Sequence, residues 1–120
     1  MTRSARLVPL LFTATLVAAC APDALKPLPG YNGFLQQVQQ VCAYTLIGTY
    51  YAGDLAGDTG SMQSVYFIDQ TSRLYFYKIT PDNWIAGVTA FMQGRSSDPG
   101  IRCVLDQLDK WNRPGPPTTM

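Results

Sequence analysis

Apolar residues return at three- and four-residue spacing in three separate stretches of this chain, a period that belongs to helices. The clearest run is Trp84, Ile85, Val88, Phe91 and Met92, opened by Thr80-Pro81-Asp82. A capping hydroxyl, a proline at the first helical position and an acid facing the positive end of the helix dipole make that start. Gly94 is the expected stop, and Gly87 inside the run marks a close approach by a neighbouring helix. Asp98-Pro99 repeats the opening, and Ile101, Val104, Leu105, Leu108 and Trp111 follow, with Cys103 on the flank of the stripe. Lys110 and Arg113 suit the negative end of that last helix. Near the other end, Asn32 is the expected cap of a helix over about Gly33 to Tyr51. Its apolar face is Phe34, Leu35, Val38, Val41, Cys42, Thr45 and Leu46, and Gln36, Gln37, Gln39 and Gln40 cover the opposite side.

The stretches between are less clear. Residues 52–60 (AGDLAGDTG) read as a loop. Asp54 and Asp58 invite calcium, but the ligand spacing and terminal glutamate of a calcium-binding loop are missing, and glycine and aspartate are what tight turns use. Residues 64–79 admit two readings. Val65-Tyr66-Phe67-Ile68 and Leu74-Tyr75-Phe76-Tyr77 have the β-branched and aromatic content of a hairpin, yet no glycine turns between them. A helix capped by Ser61, with Met62, Val65, Tyr66, Asp69, Leu74 and Phe76 aligned, is the reading adopted. The expected fold is therefore an all-α bundle of about four helices, with α+β as the alternative if 64–79 is a hairpin.

The start of the chain has a different character. Arg3 and Arg6 precede a short apolar run, Leu7 to Val17, that is too short to span a bilayer. A basic start, a short apolar core and small residues at its end describe a secretory signal peptide over residues 1–19. Val17-Ala18-Ala19-Cys20 closely resembles the lipobox of bacterial lipoproteins. The resemblance implies cleavage after Ala19 and acylation of Cys20, which becomes a lipid-bearing N-terminus anchored stably by several acyl chains. Ala21, where an aspartate would favour retention at the inner membrane, points by the same resemblance to the periplasmic face of the outer membrane. The competing reading is an ordinary signal peptide that discards Cys20 at an Ala19-Cys20-Ala21 site.

If Cys20 carries lipid, Cys42 and Cys103 are the two cysteines left, in a compartment that permits disulfides. A bridge between them is the expectation that follows from the resemblance; two buried thiols or a redox pair are the alternatives. The expected organisation is a lipidated N-terminus and proline-rich tether over residues 20–30, one stapled helical domain over 31–112, and a frayed tail over 113–120. At ~3.1 Å per residue the tether reaches about 30 Å from the lipid surface.

Composition narrows function. The chain has no histidine, and all of its acids are aspartates. The commonest general base and the commonest transition-metal ligand are therefore missing, and no Ser-His-Asp or Cys-His arrangement can be assembled. Nine basic residues against eight acidic ones give no basic footprint for nucleic acid. No phosphate-binding loop, dinucleotide fingerprint or zinc spacing occurs. Asp106 and Asp109 lie on one helix face, where acids are usually solvated, and Ser96-Ser97 has no base to activate it. No cofactor is expected, and the chain is read as non-catalytic.

Three functions fit what is left. In size, anchor, helical pattern and single disulfide the chain looks like the pilotins of secretion systems, which implies a lipoprotein that binds another envelope protein. Cys42-Ala43-Tyr44 with Gly48 and a distant second cysteine resembles helical periplasmic immunity proteins that neutralise secreted amidase toxins, although those place glycine between cysteine and tyrosine and lack a lipobox. A hydrolase using Asp54, Asp58 and Asp106 is the third. The expected contacts are membrane lipid through Cys20 and a protein partner, on a surface sought among Tyr50, Tyr51, Tyr66, Tyr75 and Tyr77 because tyrosine is favoured at interfaces.

Overall fold

Helix α1 (Tyr31–Val41) opens the described part of the chain, which in this computed structural model is residues 30–57 and 60–117. The leader, Cys20, most of the tether, Asp58 and the last three residues lie outside it. Gly30 rather than Asn32 occupies the cap position of α1, and Asn32 is an exposed residue inside the helix. Gly33, Phe34, Leu35 and Val38 form the buried face. Gln36, Gln39 and Gln40 are exposed, while Gln37 donates to Gln107 on the last helix at 3.1 Å.

The helix expected to continue to Tyr51 ends at Val41. The Cys42 carbonyl accepts both the N–H and the hydroxyl of Thr45, which turns the chain. Strands β1 (Leu46–Ile47) and β2 (Tyr50–Tyr51) then pair antiparallel, Leu46 opposite Tyr51 and Ile47 opposite Tyr50. Branched and aromatic side chains suit this pleat, and Gly48 supplies the left-handed turn at φ 62°. A Cβ on Gly48 would also lie 2.3 Å from the Met92 carbonyl oxygen, so the tip of the hairpin presses on the end of a later helix. The loop expected over 52–60 is largely helix α2 (Ala52–Gly57), because Ala52, Leu55 and Ala56 give it an apolar face to bury.

Residues 62–75, the segment open to a hairpin reading, form helix α3 (Met62–Tyr75). Its cap is the Ser61 hydroxyl, which accepts the Ser64 N–H at 3.0 Å. The Thr80 hydroxyl likewise caps α4 (Pro81–Met92) by accepting the Asn83 N–H. The left-handed residue after α4 is Gln93 rather than Gly94. Gly94 serves instead as contact surface, since a Cβ there would stand 2.7 Å from the Gly48 nitrogen. Helix α5 (Pro99–Lys110) starts at Asp98, whose carboxylate does not cap its own helix. It reaches back to accept the N–H groups of Gly48 at 2.8 Å and Arg95 at 3.0 Å.

Helix α1 packs on α2 and α5, α2 on α3, α3 on α4, and β1 on α5. The result is the expected small helical bundle, with five helices and one two-stranded hairpin among the described residues. Phe34, Val38, Phe67, Trp84, Val88, Ile101 and Val104 fill its centre. Cys42 and Cys103 form the bridge that joins the end of α1 to α5, with Cα atoms 5.8 Å apart. Closing a loop of 61 residues removes about 4 kcal/mol of unfolded-state entropy in the chain-entropy account.

Past α5, where fraying is expected, Arg113 donates to the carbonyls of Leu74 at 3.1 Å and Tyr75 at 2.8 Å. It serves the C-terminal end of α3 rather than that of its own helix. That end is a Schellman stop: Lys78 N–H reaches the Arg73 carbonyl, and Tyr77 N–H the Leu74 carbonyl. The left-handed position, usually glycine, is held by Tyr77 at φ 62°, at a cost of about 1–2 kcal/mol for an L-residue.

Two expected outcomes follow from these contacts. Thr71 is fully buried and its hydroxyl accepts the Trp84 indole N–H at 3.1 Å. Thr71→Val keeps the shape and orphans that donor, so urea denaturation should show a loss of about 1–3 kcal/mol. The hydrogen bonds from Gly48 and Arg95 hold the Asp98 carboxyl below the ordinary aspartate range. The unfolded chain binds this proton more readily, so the stabilisation is complete above the unfolded value of about 3.9 and is lost as pH falls through the lower folded value. Melting temperatures followed from neutral pH into that acid range should fall less steeply for Asp98→Asn than for the native chain.

Candidate functional site

Helix α3 carries its polar and apolar residues the opposite way round from a plain amphipathic reading. Its core face is Ser64, Phe67, Thr71 and Leu74, with both hydroxyl residues fully buried. Ser64 donates to the Leu55 carbonyl at 2.8 Å, and Thr71 accepts from Trp84. Each inward hydroxyl is thereby satisfied, as burial requires. The stripe taken as core in the sequence faces outward at its N-terminal half: Met62 is 74% exposed and Val65 56%.

Next to these residues the Tyr66 ring lies flat on Phe91 of α4, with centroids 4.1 Å apart and planes 6° from parallel. Gly87 makes this possible, because a Cβ there would meet the Tyr66 hydroxyl at 2.8 Å. The close helix approach expected at Gly87 is this contact with α3. Met62, Val65, Tyr66 and Phe91 line an open apolar groove of about 540 Å³, with Asp69 at its rim. Asp69 is paired with Arg73 at 3.1 Å in an exposed i,i+4 bridge. On the far side of Asp69, the half-buried Tyr31 donates to the Ile68 carbonyl. Burial pushes the Tyr31 hydroxyl well above the ordinary tyrosine range, and the charge of Asp69 pushes it the same way.

The five tyrosines singled out in the sequence do not share a surface. Tyr50 is half-buried against the core. Tyr51 is exposed on the hairpin, edge-on to Tyr44 at 5.7 Å, and Tyr44 is the more exposed of the two. Tyr66 belongs to the α3–α4 groove. Tyr75 is 2% exposed and is a core residue, its buried hydroxyl without a hydrogen-bond partner among the described residues. Tyr77 lies at the C-terminal end of α3, beneath Arg113. Met62, Val65 and Phe91 were not singled out as surface. The signal for them was the i, i+3, i+7, i+10 spacing of Ser64, Phe67, Thr71 and Leu74, which defines the buried face once hydroxyls are admitted to it.

Asp54, Asp106 and Asp109 are exposed, as are Ser96 and Ser97, and Asp58 lies outside the described residues. No group of three or more cysteine, histidine or acidic residues suited to a metal occurs among the described residues. Nor is any helix among them long and apolar enough to cross a membrane. The groove offers apolar area and one rim carboxylate. Comparisons with family models, curated proteins and solved structures returned no match.

The stacked pair gives this site a direct check. Gly87→Ala improves helix propensity by about 1 kcal/mol but drives Tyr66 off Phe91. Thermal stability should hold or rise, while the ring-current shifts of the Tyr66 and Phe91 protons in the NMR spectrum collapse.

Proposed function

We propose that this chain is a non-catalytic lipoprotein of the bacterial cell envelope, held to the membrane by acylated Cys20, whose α3–α4 groove binds another envelope protein. The observation that carries the reading is the exposure of Met62 and Val65 beside the stacked Tyr66–Phe91 pair while Ser64 and Thr71 occupy the core. Water-facing apolar area of this kind on a small domain marks an interaction site. An amphipathic helix from the partner fits such a groove, its apolar anchors against Met62, Val65 and Phe91 and a basic residue near Asp69.

Position supports the same reading. The tether joins the domain at Gly30, beside Tyr75 and Phe76 at the C-terminal end of α3. Met62 lies at the other end of that helix, about 20 Å away at 1.5 Å per residue. The groove therefore lies clear of the residue where the tether joins the domain. The antidote reading is less well supported. The Cys42–Cys103 bridge fits that pattern, but Ala43 stands where it places glycine, and Gly48 is accounted for by its turn and its contact with Met92.

Photo-crosslinkers placed at residues 62 and 65 in living cells should each yield one discrete adduct with an envelope protein. A crosslinker at exposed Asp109 should yield none, and Val65→Asp should abolish capture at residue 62. Mass spectrometry of the native protein should find the N-terminal cysteine acylated. An unmodified start, or crosslinking no different from the Asp109 control, overturns the proposal.

A further inference from the structure

A second cleft opens at the C-terminal end of α1, sharing no residue with the groove between α3 and α4. Gln39, Ala43 and Tyr44 form one side of it and Gly53, Asp54 and Gly57 of α2 the other, around an open space of about 410 Å³. Two glycines let α2 lie this close. A Cβ on Gly53 would stand 2.6 Å from the Ala43 Cα, and one on Gly57 would stand 3.1 Å from the Gln39 amide. The turn that carries Tyr44 is fixed on both sides: Cys42 is held by the bridge, and its carbonyl accepts the N–H and the hydroxyl of Thr45. Tyr44 itself is 82% exposed, and its one ring contact among the described residues is the edge-on Tyr51. A single contact of that kind covers at most one face of a ring, so a face of Tyr44 is open to water.

The side chains of this cleft offer negative charge and acceptors. The Gln39 amide nitrogen donates to the Ala56 carbonyl at 3.4 Å. A carbonyl only accepts, so the nitrogen is the atom that faces it and the amide oxygen is left over. Asp54 is exposed and has no ion-pair partner among the described residues. It stands in the first turn of α2, a helix of six residues, whose positive pole carries at most about half a charge and does not cancel a whole one. The open ring face of Tyr44 is the negative side of its quadrupole. The end of α1 adds the negative pole of that helix, whose last turn has no basic residue to answer it. No basic residue lines the cleft.

Such a set suits an organic cation. Calcium needs roughly six to eight oxygens, and one carboxylate with one amide oxygen falls far short. A planar guanidinium matches what is present, because its fork of N–H groups meets two acceptors side by side while its face lies on an aromatic ring. An ammonium group is a more strongly hydrated point charge and makes no such fork. The cleft is open on its outer side, so a side chain enters while the backbone that bears it stays outside. We propose that the cleft between α1 and α2 is a guanidinium site that takes an arginine side chain presented by a partner protein. Tyr44 stacks on the guanidinium, and Asp54 and the Gln39 oxygen receive its N–H groups. The site rests neither on the lipid anchor nor on the α3–α4 groove.

The test titrates the full chain with a glycine-arginine-glycine peptide blocked at both ends, and with its citrulline counterpart, which keeps the shape and removes the charge. The NMR signals of Gly53, Gly57 and the Gln39 side-chain amide report on the cleft. The arginine peptide should shift them saturably in the millimolar range, less so as salt is raised, and the citrulline peptide should bind at least about fivefold more weakly. Tyr44→Leu and Asp54→Asn each alter an exposed side chain, so the melting temperature should hold while each weakens the arginine peptide about two- to fivefold. The proposal fails if the two peptides bind alike or if neither substitution weakens the arginine peptide. Stronger shifts of the same signals by N-acetylglucosamine would assign the cleft to a glycan. Binding of methylguanidinium without binding of the arginine peptide would assign it to a small cation. Concentration-dependent dimers of the full chain that Asp54→Asn abolishes would assign it to an arginine of a second copy. Each of these three results overturns the proposal.

Discussion

The rotation of α3 about its own axis is set by two hydroxyls. Ser64 needs the Leu55 carbonyl and Thr71 needs the Trp84 indole, and both partners lie on the inner side of the helix. Trp84 is the largest fully buried side chain and cannot leave its nitrogen unpaired at small cost. Once those two bonds are made, Phe67 and Leu74 enter the core with them. Met62 and Val65 are then left facing water. The surface proposed for partner binding is therefore a consequence of how polar groups in the core are satisfied.

The same economy governs the end of the bundle where the hairpin sits. The Asp98 carboxylate gathers N–H groups from Gly48 and Arg95, and Gly48 in turn touches the Met92 carbonyl and Gly94. One acid thus ties the hairpin, the end of α4 and the start of α5 to a common point. The disulfide draws the end of α1 onto α5, close in sequence to Gly48 on one side and to Asp98 on the other. Two neighbouring ties thus fix this end of the domain, beside the packing of its helices.

Much of this was legible in the residues, and the failures have physical causes. The helix starts at Thr80-Pro81 and Asp98-Pro99 appear as expected, because proline at the first helical position is a local signal, although the Asp98 carboxylate holds Gly48 and Arg95 instead of capping. The pairing of Cys42 with Cys103 also appears as expected once Cys20 is set aside. Helix α1 was extended too far since Thr45, Leu46 and Tyr50 continue a helical spacing, whereas the turn of Thr45 onto the Cys42 carbonyl follows its end at Val41 and Gly48 turns the hairpin beyond. Helix α2 was hidden behind turn-forming glycines and aspartates, although Ala52, Leu55 and Ala56 carry its period. For α3 the type was right and the face was wrong. An apolar count ranks Met62 and Val65 above Ser64 and Thr71, and only the tertiary partners of the two hydroxyls reverse that order. Tyrosine content alone gave no surface, because Tyr75 belongs to the core and the others lie on separate faces.

Gly30 and Tyr31 share a cleft with Asn112 and Pro114, so the chain enters and leaves the fold at one pole. Neighbouring ends of this sort are what circular permutation requires. A short linker from Pro117 back to Gly30, with new termini opened at the exposed Ser96-Ser97 turn between α4 and α5, leaves every helix whole. Rearranged in that way and given the proposed anchor at its new N-terminus, the domain would hang from another point, and the direction of suspension becomes a variable independent of its fold.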